Sequence, residues 1–220
     1  MFNSYDLSVS EIVFVLLASF MLGMGKAGIK GLGVIIVLLM AIVFESKAST
    51  GILIPMMVFA DILAVFYYHQ HAQWRFLLKL LPMMVIGVLI GVWLGNRISP
   101  DFFKKLMAVF ILVAVVIMFL LDAMKTRKIP NNPLFAGSMG LFSGITSMIG
   151  NLAGSFADIY FLAMRLPKNE FIGTAAWLFL IINVFKLPFH IFSWQTVSER
   201  SLFLNLILVP VIGLGFLLGV

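Results

Sequence analysis

The chain has 220 residues, of which 62% are hydrophobic and only 11% are charged, and its mean hydropathy is +1.13. A soluble domain carries roughly 25% charged residues, so this composition excludes a water-exposed globule and favours a polytopic helical membrane protein. The net charge is +6, but the basic residues form no block or stripe, so nucleic-acid binding is not expected. The sequence contains no cysteine, which excludes disulfides, iron–sulfur ligation by thiolates and a cysteine nucleophile.

The N-terminal residues do not resemble a targeting sequence. Residues 1–10 include Asp6 but no lysine or arginine, and no small-residue cleavage site follows the first apolar run. A secretory signal peptide needs both features, so we expect the N-terminus to belong to the mature protein.

The first apolar segment, Ile12–Phe44, is too long for one crossing, because a continuous helix of that length would extend roughly 50 Å. Five glycines and two lysines between Gly23 and Gly33 interrupt it. Glycine costs about 1 kcal/mol per helix position, so we predict two half-helices, each too short to span, that meet at an unwound centre. Irregular backbone at membrane depth is tolerated only where it lines a cavity or is buried in protein.

A second segment of the same form follows later in the chain, at Leu134–Met164, and is interrupted between Gly150 and Gly154. The other long apolar stretches predict ordinary membrane-spanning helices joined by short charged connections. These predicted spans are Ala48–Tyr68, Phe76–Gly95, Leu106–Leu121, Phe171–Phe192 and Leu202–Val220.

The order of these elements indicates an internal repeat. A shift of 122 residues superimposes the two interrupted segments and the spans after them, and it pairs Gly28 with Gly150, Gly51 with Gly173, and Asp61 with Asn183. We therefore predict a first repeat over residues 1–124 and a second over residues 125–220, with the last helix of the second repeat missing. Three crossings after a re-entrant hairpin in the first half would orient the two halves oppositely, and inverted repeats with broken helices are typical of secondary transporters.

The first interruption has the composition of an anion site. Lys26 and Lys30 lie in a glycine-rich backbone that leads into a half-helix, and the free amides near Gly28 and Gly31 would add to the positive end of the helix dipole. The alternative is that both lysines extend to the membrane interface and act as anchors. The sequence leaves these two roles open.

Ionisable and polar residues elsewhere in the apolar segments are further candidates, because a charge at the bilayer centre costs about 3 kcal/mol on insertion scales. We expect Asn151, Gly154, Asn183 and Lys186 to contribute to the anion site from the second half, although Lys186 could instead extend to the interface. Asp61 is a candidate for proton coupling, with a structural ion pair to a lysine as the alternative.

Other polar positions have structural explanations. Asp158 follows Ser155 in a Ser-x-x-Asp pattern, which predicts a helix cap. His69 and His71 lie in a turn without a neighbouring carboxylate, so no metal is expected.

The spacing of Gly87, Gly91 and Gly95 predicts close helix packing. The motifs of the common hydrolases and phosphate-binding enzymes are absent from the sequence, so we expect neither an enzyme nor a cofactor.

The sequence resembles the sulfite exporter TauE/SafE family over nearly its whole length. The segments that carry the resemblance are Gly25–Gly33, Ala48–Pro55, Ala60–Asp61, Tyr67–Tyr68 and Ala72–Trp74 in the first half, and Asn151–Gly154, Leu166–Trp177 and Asn183–Pro188 in the second. Two departures are the absence of proline between Val34 and Met40 and the end of the chain at Val220, where family members usually continue into another span.

The resemblance implies a multi-pass transporter of the bacterial inner membrane that exports sulfite, sulfonates or related small anions. Combined with the repeat, it predicts an anion bound at the broken helices near the bilayer midplane. The expected partners are a small anion such as sulfite, a sulfonate or a carboxylate, the lipid bilayer, and further copies of the chain in a homo-oligomer. The alternatives are a channel or permease for another solute, with Asp61 on the pathway, and a membrane scaffold or assembly factor that does not transport.

Overall fold

A computed structural model describes residues 7–124 and 132–220, and within these ranges every regular element is helical. A 3₁₀ turn, His69–His71, follows the helix Ser46–Tyr68, and a π-helical turn, Phe189–Ser193, continues the helix Lys168–Pro188. The α-helices are α1 (Val9–Lys26), α2 (Leu32–Val43), α3 (Ser46–Tyr68), α4 (Trp74–Arg97), α5 (Pro100–Met124), α6 (Pro133–Gly150), α7 (Ala153–Ala163), α8 (Lys168–Pro188) and α9 (Glu199–Gly219).

Five helical segments in the described ranges are long and apolar enough to cross a membrane: Val9–Lys26, Ser46–His71, Trp74–Arg97, Lys168–Ser193 and Glu199–Gly219. The class predicted from composition is therefore confirmed, and α5 covers the predicted span Leu106–Leu121. The prediction that the first half-helix is too short to span was wrong, because α1 has 18 residues. The predicted boundary between repeats adjoins residues 125–131, which lie outside the described residues, as does Asp6.

The first interruption is shorter than the sequence predicted. It contains only the residues between Lys26 and Leu32, and Gly28 and Gly31 adopt positive φ angles of 117° and 85° within it. These angles are readily accessible only to glycine. Gly23, by contrast, lies inside α1. A Cβ atom there would overlap the backbone of Ile212 on α9. This glycine allows close packing and does not unwind the helix.

The second interruption consists of two residues, Asn151 and Leu152, between α6 and α7. Asn151 adopts the left-handed conformation, with φ of 54°, which asparagine tolerates better than most residues. Its backbone N–H donates to the Ser147 carbonyl at 3.0 Å, and that of Leu152 donates to the Thr146 carbonyl at 3.2 Å. These two bonds close the end of α6 and release the chain into α7.

Glycines bring α4 and α6 into close contact. A Cβ atom at Gly87 would overlap the Leu141 carbonyl, and one at Gly144 would overlap the Met84 carbonyl. A Cβ atom at Gly91 would lie 2.7 Å from the Cβ of Met148. The helix packing predicted from the spacing of the α4 glycines is therefore confirmed.

Helices α9 and α1 pack in the same way. A Cβ atom at Gly215 would overlap the Phe20 carbonyl, and one at Gly219 would lie 3.0 Å from the Cα of Met24. The contacts advance in the same direction along both helices, so α1 and α9 run parallel, as α6 and α4 do. Under the predicted repeat α9 corresponds to α4 and α1 corresponds to α6, so each half supplies one helix to each pair.

Helices α3 and α8 lie together at the centre and run antiparallel. Gly51, near the start of α3, packs against Thr196, which follows α8. Gly173, near the start of α8, packs against the end of α3, where an added Cβ would lie 2.6 Å from the Tyr68 carbonyl oxygen. Asp61 and Asn183 meet between these two contacts. Both glycines are residues that the 122-residue shift pairs with each other.

Candidate functional site

A cavity of about 180 Å³ lies between the two interruptions and α8. Since one water needs roughly 10–15 Å³ on this measure, the cavity has room for several waters or a small anion. Seven of the eight residues predicted to bind substrate line it: Lys26, Gly28, Lys30, Gly31, Asn151, Gly154 and Asn183. The eighth, Lys186, is fully buried and lies behind the wall.

Lys26 is held by a buried carboxylate. Its Nζ lies 2.6 Å from Oδ1 of Asp61, and Oδ2 of Asp61 accepts a hydrogen bond of 2.6 Å from Nδ2 of Asn183. The ammonium also lies over the ring of Phe179, 4.7 Å from its centroid. The Lys26 charge is thus compensated within the protein, and Asp61, which is fully buried, does not line the cavity.

Lys186 fixes the second interruption from behind. Its Nζ donates to the Ser147 carbonyl and to Oδ1 of Asn151, both at 2.9 Å. The side chain is fully buried and does not extend to a membrane interface. Nδ2 of Asn151 in turn donates to the Thr50 carbonyl at 3.1 Å, which ties the interruption to α3. Lys186 therefore positions Asn151 and does not face the cavity.

A second cavity, of about 290 Å³, lies on the other side of the interruptions, between α2, α5 and α7. Helix α5 closes it with Ala114, Ile117 and Phe119. Six residues line both cavities and separate them, and we call them the shared border. They are Lys30, Gly31, Gly33, Asn151, Gly154 and Asp158.

Two helix N-termini open onto the shared border. Helix α2 starts after Gly31 and α7 starts after Leu152, and no side chain of the described residues caps either first turn. Uncapped N–H groups and the positive dipole end make such a terminus attractive to anions. Lys30 adds a full positive charge: it has no carboxylate partner within the described ranges, and its ammonium lies over the ring of Phe171, 4.1 Å from the centroid.

The predicted cap involving Ser155 and Asp158 was wrong. The N-cap of α7 is Leu152, so Ser155 and Asp158 are the third and sixth residues of the helix. The Asp158 side chain folds back toward the first turn, where a Cβ atom at Gly154 would lie 3.7 Å from its Oδ2. The Ser-x-x-Asp pattern assigned Asp158 to a cap, and so missed its place at the cavities, because the pattern does not determine where the helix begins.

The sequence predicted an anion bound at both broken helices near the bilayer midplane. In the structure, however, the two interruptions lie at different heights along α3. The hydroxyl of Tyr68, at the end of α3, donates to the Ala27 carbonyl at 2.9 Å. Asn151 contacts Thr50, near the start of the same helix. The breaks therefore lie toward opposite ends of α3, and the cavity extends between them. The aromatic residues over Lys26 and Lys30 were not predicted, because nothing in their spacing distinguishes them from other apolar residues.

A cavity bordered by broken helices in an all-helical membrane protein is typical of transporters. The model of the sulfite exporter TauE/SafE family matches residues 12–220, and the chain belongs to this family. It is therefore a membrane transporter of the sulfite type, and not an enzyme. No curated protein and no solved structure matched the chain.

Proposed function

We propose that the protein is a secondary transporter that exports sulfite, sulfonates or similar small anions across the bacterial inner membrane, and that the anion binds at the shared border. The observation that carries this proposal is that two uncapped helix N-termini and Lys30, which has no carboxylate partner within the described ranges, border the same two cavities. Partial positive charges of the helix ends and a full ammonium charge are what a compact oxyanion requires.

The charges around the cavities assign different roles to the two lysines of the first interruption. Lys26 is compensated by Asp61, so it keeps α1 and α3 together and contributes little net charge. Lys30 is exposed and its charge is available to a ligand. Gly28 and Gly31 allow the backbone to approach the anion, while Asn151 and Asn183 offer amide groups at the cavity wall.

We further propose that residues 1–124 and 125–220 are inverted repeats and that each broken helix pair, α1 with α2 and α6 with α7, enters and leaves on one side of the membrane. The antiparallel packing of α3 and α8 supports this arrangement, as do the reciprocal contacts of Gly51 and Gly173. Alternating access would then arise when one repeat rocks against the other around the shared border.

The alternative of a channel or permease with Asp61 on the pathway fits the contacts less well. Asp61 is fully buried, paired with Lys26, and absent from both cavity linings. A membrane scaffold would use small-residue helix faces for partners, but Gly87 and Gly215 are occupied by α6 and α1 of the same chain. Assembly into a homo-oligomer stays a prediction.

The test is the flux of labelled sulfite in proteoliposomes. The wild type should transport sulfite above the rate of empty vesicles, and Lys30→Gln should lower the initial rate about tenfold at subsaturating sulfite, because it removes a charge from the anion site. Lys79→Gln is the matched control, since Lys79 is an exposed lysine of α4 outside both cavities. Equal rates in Lys30→Gln and wild type would contradict the proposed site, and the absence of flux for sulfite and sulfonates would contradict the function.

A further inference from the structure

We propose that Asp158 is the proton-binding residue of transport: its ionised carboxylate occupies the positive region that the anion needs, so the anion binds together with a proton on Asp158. The inference rests on the proposed function and adds the coupling ion and its site. It differs from the sequence-based expectation, which placed proton coupling at Asp61.

Asp158 lies at the border between the two cavities. It is the one carboxylate within the described ranges that lines either cavity, and it lines both. Its side chain turns back over the first turn of α7, beside Gly154, where the helix dipole favours a negative charge. A carboxylate at this place occupies the same positive field as an anionic ligand.

Asp158 lies near positively charged side chains. The positive charges that act on it are those of Lys30 and, more weakly, Lys26. Around the cavities, the described residues of the elements packed against α7 include no other charged group. Helix α5 contributes Ala114, Ile117 and Phe119, and α6 with the second break contributes Ser147, Asn151 and Leu152. The residues that α8 contributes there are Phe171, Ile172, Ala175, Ala176, Phe179 and Asn183.

Asp158 is also free to change its charge. Within the described ranges it forms no hydrogen bond and no ion pair, although it is partly buried. Protonation therefore breaks no direct contact. Asp61 differs, because protonation there would remove the counter-charge of Lys26 and weaken the link between α1 and α3.

Coupling follows from repulsion between like charges. An anion at the shared border and an ionised Asp158 would lie in one small cavity, where two negative charges cannot be accommodated as easily as one. Protonation of Asp158 removes the repulsion and leaves Lys30 and the helix N-termini for the anion. By linkage, the anion must strengthen proton binding by the same factor by which the proton strengthens anion binding.

The experiment measures binding of ethanesulfonate, whose charge is constant at neutral and mildly acidic pH, to the detergent-solubilised protein by calorimetry. Titrations in buffers of different ionisation enthalpy give the number of protons taken up with the anion. The wild type should take up about one proton, and its affinity should fall by up to about tenfold per pH unit above the midpoint of the titration.

Asp158→Asn mimics the protonated carboxyl group, so it should bind ethanesulfonate without proton uptake and with an affinity that does not depend on pH. Asp158→Glu should restore both proton uptake and pH dependence. Asp101→Asn is the matched control, because Asp101 is an exposed aspartate in the first turn of α5, outside both cavities, and it should behave as the wild type does.

Each outcome bears on a different claim. Binding by the wild type without proton uptake would overturn the role of Asp158 and leave the anion site standing, even if Asp158→Asn failed to fold. Proton uptake that persists in Asp158→Asn, or that is lost in Asp61→Asn alone, would also overturn it. Failure of the wild type to bind ethanesulfonate or sulfite at any pH would overturn the proposed function, and the coupling role with it.

Discussion

Nδ2 of Asn183 donates a 2.6 Å hydrogen bond to Oδ2 of Asp61, and the two residues are 122 positions apart. This separation equals the shift that superimposes the two halves of the sequence. Residues equivalent by a two-fold axis meet each other only close to that axis, so this contact is where the axis of an inverted repeat would pass. The carboxylate of Asp61 also forms the ion pair with Lys26.

Removal of one member of that ion pair should destabilise the protein strongly. Asp61 is fully buried, so Lys26→Met leaves an uncompensated charge, and we expect a loss of about 3–5 kcal/mol in the free energy of unfolding. The double variant Lys26→Met/Asp61→Leu should recover most of this loss. Unfolding in mixed micelles measures the cycle, with Lys79→Met as the control. Additive effects of the two substitutions would contradict the pairing.

The backbone of Asn151 offers a test of the second interruption. Glycine and alanine both remove the amide contacts with Lys186 and Thr50, but only glycine adopts the left-handed conformation freely. Asn151→Gly should therefore be more stable than Asn151→Ala by about 1–2 kcal/mol. Thermal unfolding in detergent measures the difference. If the two variants unfold at the same temperature, the interruption does not have this conformation.

Helix α9 contains two glycines with opposite surroundings. A Cβ atom at Gly215 would overlap the Phe20 carbonyl, whereas one at Gly213 would have no atom of the described residues within 4 Å. Gly215→Ala should cost about 1–3 kcal/mol of stability because α1 must move away. Gly213→Ala should be neutral or stabilise by up to about 1 kcal/mol, since alanine favours the helix. Equal effects on unfolding would contradict the close packing of α1 and α9.

The ends of α3 and α8 test the inverted topology. Because the chain contains no cysteine, single substitutions can be labelled without background. Gln70 and Glu199 are exposed, just after α3 and at the start of α9, respectively. With an impermeant thiol reagent, Gln70→Cys and Glu199→Cys should be labelled from opposite sides of the membrane. Labelling of both from the same side would exclude antiparallel, membrane-spanning α3 and α8.

The sequence predicted the helices well because continuous apolar runs between charged turns leave little choice. The predicted span Ala48–Tyr68, for example, differs from α3 by two residues at one end. The extent of the first interruption was less predictable, since glycine serves two purposes in this chain. Gly28 and Gly31 turn the backbone, whereas Gly23 lets α9 approach α1, and composition alone does not separate these roles.

The sequence predicted which residues belong to the candidate site, but not which of them pair with each other. Polar residues in apolar segments are few, so Lys26, Asp61, Asn183 and Lys186 were all identified. Which of them form pairs depends on how α1, α3, α6 and α8 pack, and local patterns carry no such information. Asp158 was missed for a simpler reason: its pattern fitted a helix capped by Ser155, whereas α7 begins three residues earlier, after Leu152.

The central claim is that the anion lies at the shared border, and protection of a single cysteine tests it most directly. Ser155 lines the second cavity beside Gly154, so Ser155→Cys should react with a negatively charged thiol reagent. Saturating ethanesulfonate should slow this reaction at least about tenfold, as expected for a blocked site. It should not slow the reaction of Gln70→Cys, which is exposed in the turn after α3. Protection of Ser155→Cys alone is the predicted result, and equal rates with and without the anion, in a protein that transports it, would contradict the account.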